Sequence, residues 1–124
     1  MKIKKISPIC VHIPFEHGAK KTKFHGQDWK NLEFVLVRVE TDKGIVGWGE
    51  AFGYVSWKTV KTSIDEMISP SIIGREINSP EDIHKLVYEL QKTFHIFGRY
   101  GITIFALSGI EIGLWDALGK EKNV

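Results

Sequence analysis

The sequence holds one cysteine, Cys10, and only four prolines. A lone thiol cannot close an internal disulfide, so a disulfide-stapled scaffold is excluded. No stretch approaches the roughly 18 consecutive apolar residues of a transmembrane helix, so no membrane span is expected. The opening Met1-Lys2-Ile3-Lys4-Lys5-Ile6 carries charge without a following apolar run, which is not a secretory signal. A single thiol without an export signal favours a reducing cytoplasm. Charge of one sign is also lacking. Seventeen Lys and Arg face fifteen Asp and Glu, a formal +2, too balanced to imply a nucleic-acid partner. Repeats and low-complexity linkers are absent. Length excludes one architecture outright: 124 residues cannot hold a complete (β/α)₈ barrel, which needs about 250.

What is present suffices for a core. With 43% hydrophobic residues, a chain of this size should bury roughly two-thirds of its unfolded surface. Residues 1–124 are therefore expected to form one domain.

The first fifty residues read as β-structure. Ile9, Val11 and Ile13 alternate with Cys10 and His12, and Pro14 stops the run. From Glu33 to Thr41, Val35, Val37 and Val39 share one face, with Phe34, Leu36 and Arg38 on the other. Thr41-Asp42-Lys43-Gly44 has glycine placed for positive φ, a short hairpin loop. Ile45 to Glu50 forms the return strand. The three strands predict an antiparallel meander. Between the first two lies a loop from about Phe15 to Leu32, long for a β–β connection and for that reason a candidate functional segment.

After Ser56 the period becomes helical. Val60, Ile64, Met67 and Ile68 fall at i, i+4, i+7 and i+8, and Pro70 is expected to close the segment. Ser79-Pro80-Glu81-Asp82 is a strong helix start: serine at the N-cap, proline in the first turn, carboxylates beside the helix N-terminus. A third helix from near Gly101 to about Gly119 is apolar almost all round. Such a helix is buried on several sides. One of its faces is expected to need a partner outside this sequence, leaving an apolar patch around Ile112, Trp115 and Leu118 that would favour self-association. The fold class is α+β: a three-stranded antiparallel meander, then a bundle of about three helices.

Several motifs dissolve on inspection. Gly47-Trp48-Gly49-Glu50-Ala51-Phe52-Gly53 follows a strand, but its spacing is not that of a dinucleotide fingerprint and no βαβ unit follows. The five histidines and Cys10 lack the spacing of a four-ligand structural zinc site. No nucleophile elbow or acid–base pair is readable, so independent catalysis by this chain is not expected. The lysine-rich loop, with Lys20, Lys21 and Lys23 beside His17, His25 and Trp29, has two readings. It is a solvated charge run, or an anion-recognising flap favoured by its length and aromatic tips. The segment Ala51 to Ser56, with Phe52 and Tyr54, could converge on the same place.

The last helix is the most specific feature. Phe105-Ala106-Leu107-Ser108-Gly109-Ile110-Glu111-Ile112-Gly113-Leu114-Trp115-Asp116-Ala117-Leu118-Gly119-Lys120 resembles the helix that leads into the barrel in the mandelate racemase/muconate lactonizing group of the enolase superfamily. Its pattern is close to Ala-x-Ser-(Ala/Gly)-Ile-Asp-x-Ala-Leu-Trp-Asp-x-x-Gly-Lys. The departures are Glu111, where Asp is usual, and Gly113, where Ala is usual; both are expected to alter helix packing slightly. Thr41 to Glu50 resembles the group's second hairpin, and Ser69-Pro70-Ser71-Ile72-Ile73-Gly74-Arg75 its Pro-x-Leu-Ile-Gly segment. The element order is that of the group's N-terminal capping domain.

The resemblance implies a division of labour. The capping domain closes over a (β/α)₇β barrel that holds Mg²⁺ and the bases that remove the proton α to a carboxylate. Mg²⁺ is thus implied for the full-length enzyme and none for this chain, which is expected to be inactive alone and to lack catalytic and metal-ligating residues. The implied partners are the missing barrel, a carboxylate substrate and further copies in a homo-oligomer. By loop position the candidate substrate-binding residues are His17, Lys21, His25, Trp29, Phe52 and Tyr54. A basic, hydrogen-bonding loop fits an acid sugar, and hence a dehydratase or racemase. The rival expectation is a free-standing small-molecule-binding or protein-interaction module without catalysis.

Overall fold

The computed structural model describes residues 1–16, 18, 23–24 and 27–124. Strand β1 (Ile3–Pro14) pairs antiparallel with β4 (Asn31–Thr41), which pairs antiparallel with β5 (Val46–Phe52). The sheet order is β1-β4-β5, a meander as expected. A two-residue ribbon, β2 (Lys23–Phe24) with β3 (Gln27–Asp28), lies within the long first connection. The β4–β5 turn places Gly44 at φ +76, the left-handed region that suits glycine.

β1 is longer than the alternation of Ile9, Val11 and Ile13 suggests. A register shift between Ile3 and Lys5 lets both Ile3 and Ile6 face the core. Beyond the bulge the even positions point inward, so Cys10 packs on the core while Ile9 and Ile13 lie on the sheet's outer face.

The helical half begins at Ser56. α1 (Trp57–Thr62), a π-helical stretch (Ser63–Ile68) and α2 (Ser69–Ile72) follow one another with helical backbone at each junction. Pro70 therefore does not close the segment at its own position, contrary to expectation. A proline ring clashes with the carbonyl four residues earlier in a regular α-helix. Here that residue, Glu66, lies in the wider π turn, and the helix runs on to Ile72. α3 (Pro80–Thr93) starts with the anticipated cap, a full capping box between Ser79 and Asp82. α4 (Ile102–Lys122) is the longest element and lies across the sheet.

The core sits between the inner sheet face and the helices. Val35, Val37 and Val39 of β4 share one core with Ile64, Ile68 and Ile72 of the first helical run, Ile83 and Leu86 of α3, and Ile110 and Leu114 of α4. α4 comes unusually close to β5. A Cβ added at Gly49 would lie 2.0 Å from the Gly109 carbonyl oxygen, and one at Gly47 would lie 2.0 Å from that of Gly113. Four glycines thus let a helix backbone rest on a strand backbone. The departure at Gly113 has a reason here, because a Cβ there would meet Val39 Cγ2 at 2.8 Å.

α4 is long and apolar enough, by length and composition, to cross a membrane, yet half of that apolar window is buried in the fold, as in a core helix. The expected apolar patch is correspondingly smaller. Leu118 is buried, Ile112 is exposed, and Trp115 is half-buried with its ring against His84 at 5.3 Å. The chain's own sheet and helices cover Leu118 and part of Trp115 and leave Ile112 open.

Candidate functional site

The end of the sheet where β1 finishes and β4 begins gathers the two connections singled out from the sequence. Pro14 pairs with Asn31, and Phe34 pairs with both Val11 and Phe52. The segment after β1 and the segment after β5 therefore leave from the same end. The Phe15 main-chain N–H donates to the Lys30 carbonyl at 3.0 Å, closing the neck of the first. Trp29 stands edge-on to Phe15 at 4.9 Å and to Tyr54 at 5.2 Å between ring centres. Phe52 lies 6.0 Å from Tyr54 and 4.9 Å from Phe105 at the start of α4. The Phe52–Tyr54 pair is tilted and the others are edge-to-face, a geometry that contributes beyond the buried area.

Trp29, Phe52 and Tyr54 wall a pocket of about 340 Å³, lined also by Phe34, Glu33 and Glu50. Three sequence-selected residues, Trp29, Phe52 and Tyr54, come together there. His17, Lys21 and His25 lie outside the described residues, as does Lys20. The described lining is aromatic and acidic. Glu33, Glu50 and Phe34 were not selected from sequence; strand parity could have found Glu50 and Phe34, but Glu33 has the parity of the buried valines of β4. Glu50 shares the outer face of β5 with Phe52, and the β4–β5 register sets Phe34 beside Phe52.

Glu33 also ties down the second loop. Its Oε2 accepts the Val55 main-chain N–H at 2.9 Å, and its Oε1 lies 3.7 Å from His12 Nδ1. Val55 has φ +58, a region costly for a β-branched side chain. Strain of this kind persists only where surroundings over-determine it, and it collects at binding and switch segments. The neighbouring Gly53 is packed tightly as well: a Cβ there would sit 3.1 Å from the Glu33 carbonyl oxygen.

The pocket offers aromatic faces for C–H surfaces and carboxylate oxygens as hydrogen-bond acceptors for hydroxyls. That set suits a polyol. For a metal it is a poor fit: among the described residues no group of three or more His, Cys, Asp or Glu side chains comes together. Nor is Cys10 an activated nucleophile. Partial burial pushes its thiol up, more than nearby Lys61 pulls it down, which disfavours the thiolate.

The chain resembles known proteins along most of its length. It matches the family described as "Mandelate racemase / muconate lactonizing enzyme, N-terminal domain" over residues 16–124. It is 33% identical over 92 residues to the arabinonate dehydratase of Saccharolobus solfataricus, covering 74% of this chain and 24% of that protein. It is 36% identical over 124 residues to the D-galactarolactone cycloisomerase of Agrobacterium fabrum, covering 94% and 29%. Among solved structures, the 3,6-anhydro-D-galactonate cycloisomerase of Zobellia galactanivorans superposes with a TM-score of 0.77 at 26% identity, covering 98% of this chain and 29% of that one. A mandelate racemase/muconate lactonizing protein from Paracoccus denitrificans PD1222, complexed with magnesium, shares the fold at TM-score 0.75 and 24% identity, covering 98% and 28%. The chain spans about a quarter of the length of the curated relatives it matches. The meander, the α4 motif clamped against it and these likenesses agree, and the chain belongs to the mandelate racemase/muconate lactonizing enzyme family, corresponding to its N-terminal domain.

Proposed function

We propose that these residues serve as the capping and specificity domain of an enzyme acting on an acid sugar, a dehydratase or an isomerase. One observation carries the reading: Trp29 from the first connection, Phe52 from the end of β5 and Tyr54 just after it converge on one pocket at one end of the sheet. A cap of this kind packs its rings over the substrate, excludes water and reads the end remote from the reacting carbon. Glu33 and Glu50 would accept hydrogen bonds from sugar hydroxyls. The lysines of the first connection would meet the negative charge of the acid. Two relatives bear the names of acid-sugar enzymes, arabinonate dehydratase and D-galactarolactone cycloisomerase.

Proton abstraction α to the carboxylate, and any Mg²⁺ that stabilises the resulting charge, belong on this reading to a barrel and not to these residues. The domain's own contribution is to orient the substrate and keep water out. The reading also implies a homo-oligomer, which sedimentation of the longer enzyme measures. The functional test is a screen of an enzyme carrying this domain on its barrel against acid sugars, dipeptides and cycloalkadienoates. Turnover of one or more acid sugars is expected. Turnover confined to dipeptides or cycloalkadienoates would overturn the assignment.

A further inference from the structure

A second cavity lies where the end of α3 meets the start of α4. Its volume is about 650 Å³, within the range of small-molecule sites, and it shares no lining residue with the aromatic pocket. Lys92, His95 and Arg99 line it, with Tyr88 and Ile104 as apolar walls. No carboxylate is among the described residues that line it.

The arginine at this cavity differs from the other two. Of the three arginines, Arg38 pairs with Glu40 and Arg75 pairs with Glu89 at 2.6 Å, while Arg99 makes no ion pair among the described residues. Lys92 also lacks a carboxylate partner there, and its ammonium sits over the Tyr88 ring, 4.5 Å from the centre. The His95 ring is oriented by its Nδ1, 2.7 Å from the Lys92 carbonyl oxygen. One concave wall thus gathers two permanent positive charges in a chain whose formal net charge is only +2. Like charges brought together without a counter-charge raise the free energy of the site, and an anion relieves it.

We propose that this cavity binds a small anionic ligand, its phosphate or carboxylate group held between Arg99 and Lys92. Arg99 supplies the planar fork that matches either oxyanion, and Lys92 supplies a point charge already positioned by Tyr88. The uncharged part of the ligand packs against Tyr88 and Ile104. This site goes beyond the proposed capping role and does not depend on it.

The test is an amide-shift titration of the isotopically labelled 124-residue chain with inorganic phosphate, then with citrate, at constant ionic strength. Saturable shifts confined to residues 88–104 are expected with at least one of the two, and the tighter probe identifies the oxyanion. Arg99→Ala should weaken that binding about tenfold or more, the scale of a charge-assisted hydrogen bond. Arg99→Lys keeps the charge but loses the fork, and should fall between the two. Lys5→Ala, which removes the same unit of charge on β1, should change affinity less than twofold. Shifts that do not saturate, that centre elsewhere, or that weaken equally in Lys5→Ala and Arg99→Ala would overturn the site.

Discussion

The main-chain N–H of Trp48 donates to Asp116 Oδ2 at 2.7 Å, joining positions 68 apart. β5 is an edge strand, and Trp48 would otherwise present its amide to solvent. One helical turn on, Lys120 donates both to the Val46 carbonyl at 2.9 Å and to Asp116 at 2.6 Å. The Trp-Asp-x-x-Gly-Lys run of α4 is thereby a clamp: acid and base at i and i+4 answer successive outward groups of the strand. Edge strands left open invite pairing with other chains, and this one is covered by a helix and its side chains. Asp116→Ala should cost about 1 kcal/mol, the usual net value of a hydrogen bond. Hydrogen exchange at the Trp48 amide should accelerate by the corresponding factor; unchanged exchange would count against the clamp.

The clamp also predicts the acid limb of stability. Burial pushes the Asp116 carboxyl up, but hydrogen bonds from Lys120 and the Trp48 amide outweigh it and hold the carboxyl below the usual value. The folded state then binds its proton less readily than the unfolded state. The contribution is complete above the ordinary aspartate value of about 3.9 and disappears as pH falls through the lower, folded value. Asp82 behaves alike, held down chiefly by the Asn78 amide. Urea midpoints should be flat from about pH 5 to 7 and decline below about pH 4.5. Asp116→Asn should show a shallower decline than the parent; superimposable slopes would contradict the assignment.

The glycine contact between α4 and β5 predicts a large steric penalty. Gly49→Ala places a Cβ 2.0 Å from the Gly109 carbonyl oxygen and 2.6 Å from the Gly113 nitrogen. Both are backbone atoms and cannot rotate away. A loss of about 3 kcal/mol is expected, at the upper end of overpacking costs. Gly44→Ala meets open space, and its positive φ alone should cost about 1 kcal/mol. Chemical denaturation of the two variants should separate them in that order.

Val55 gives a prediction of opposite sign. Its left-handed backbone and half-exposed side chain make Val55→Gly stabilising by about 1 kcal/mol, because the strain goes and little packing is lost. Glu33→Ala should loosen the same loop by removing the acceptor of the Val55 amide. A Val55→Gly variant no more stable than the parent would show that the strain is illusory.

Local signals in the sequence were legible where they act locally. The hairpin glycine Gly44, the Ser79–Asp82 cap and the valine face of β4 are all decided within a few residues. The features that escaped depend on tertiary context. A bulge that turns Ile3 and Ile6 to one side leaves no compositional mark. Whether Pro70 ends a helix depends on the π turn before it. Leu118 is buried by neighbours that a helical wheel does not contain. At the candidate site the aromatic tips were evident and Glu50 follows from the parity of β5, but Glu33 shares the parity of the buried valines and reaches the pocket only through tertiary context.

The central claim is that Trp29, Phe52 and Tyr54 read the substrate while the proton is moved elsewhere. Its most direct test is kcat/KM across a panel of acid sugars, for an enzyme carrying this domain and for its Trp29→Ala and Tyr54→Phe variants. A contact to the remote end of the substrate predicts losses that differ between sugars by about tenfold or more, so that their rank order changes. A uniform loss on every sugar with the order preserved, or no loss at all, would contradict it.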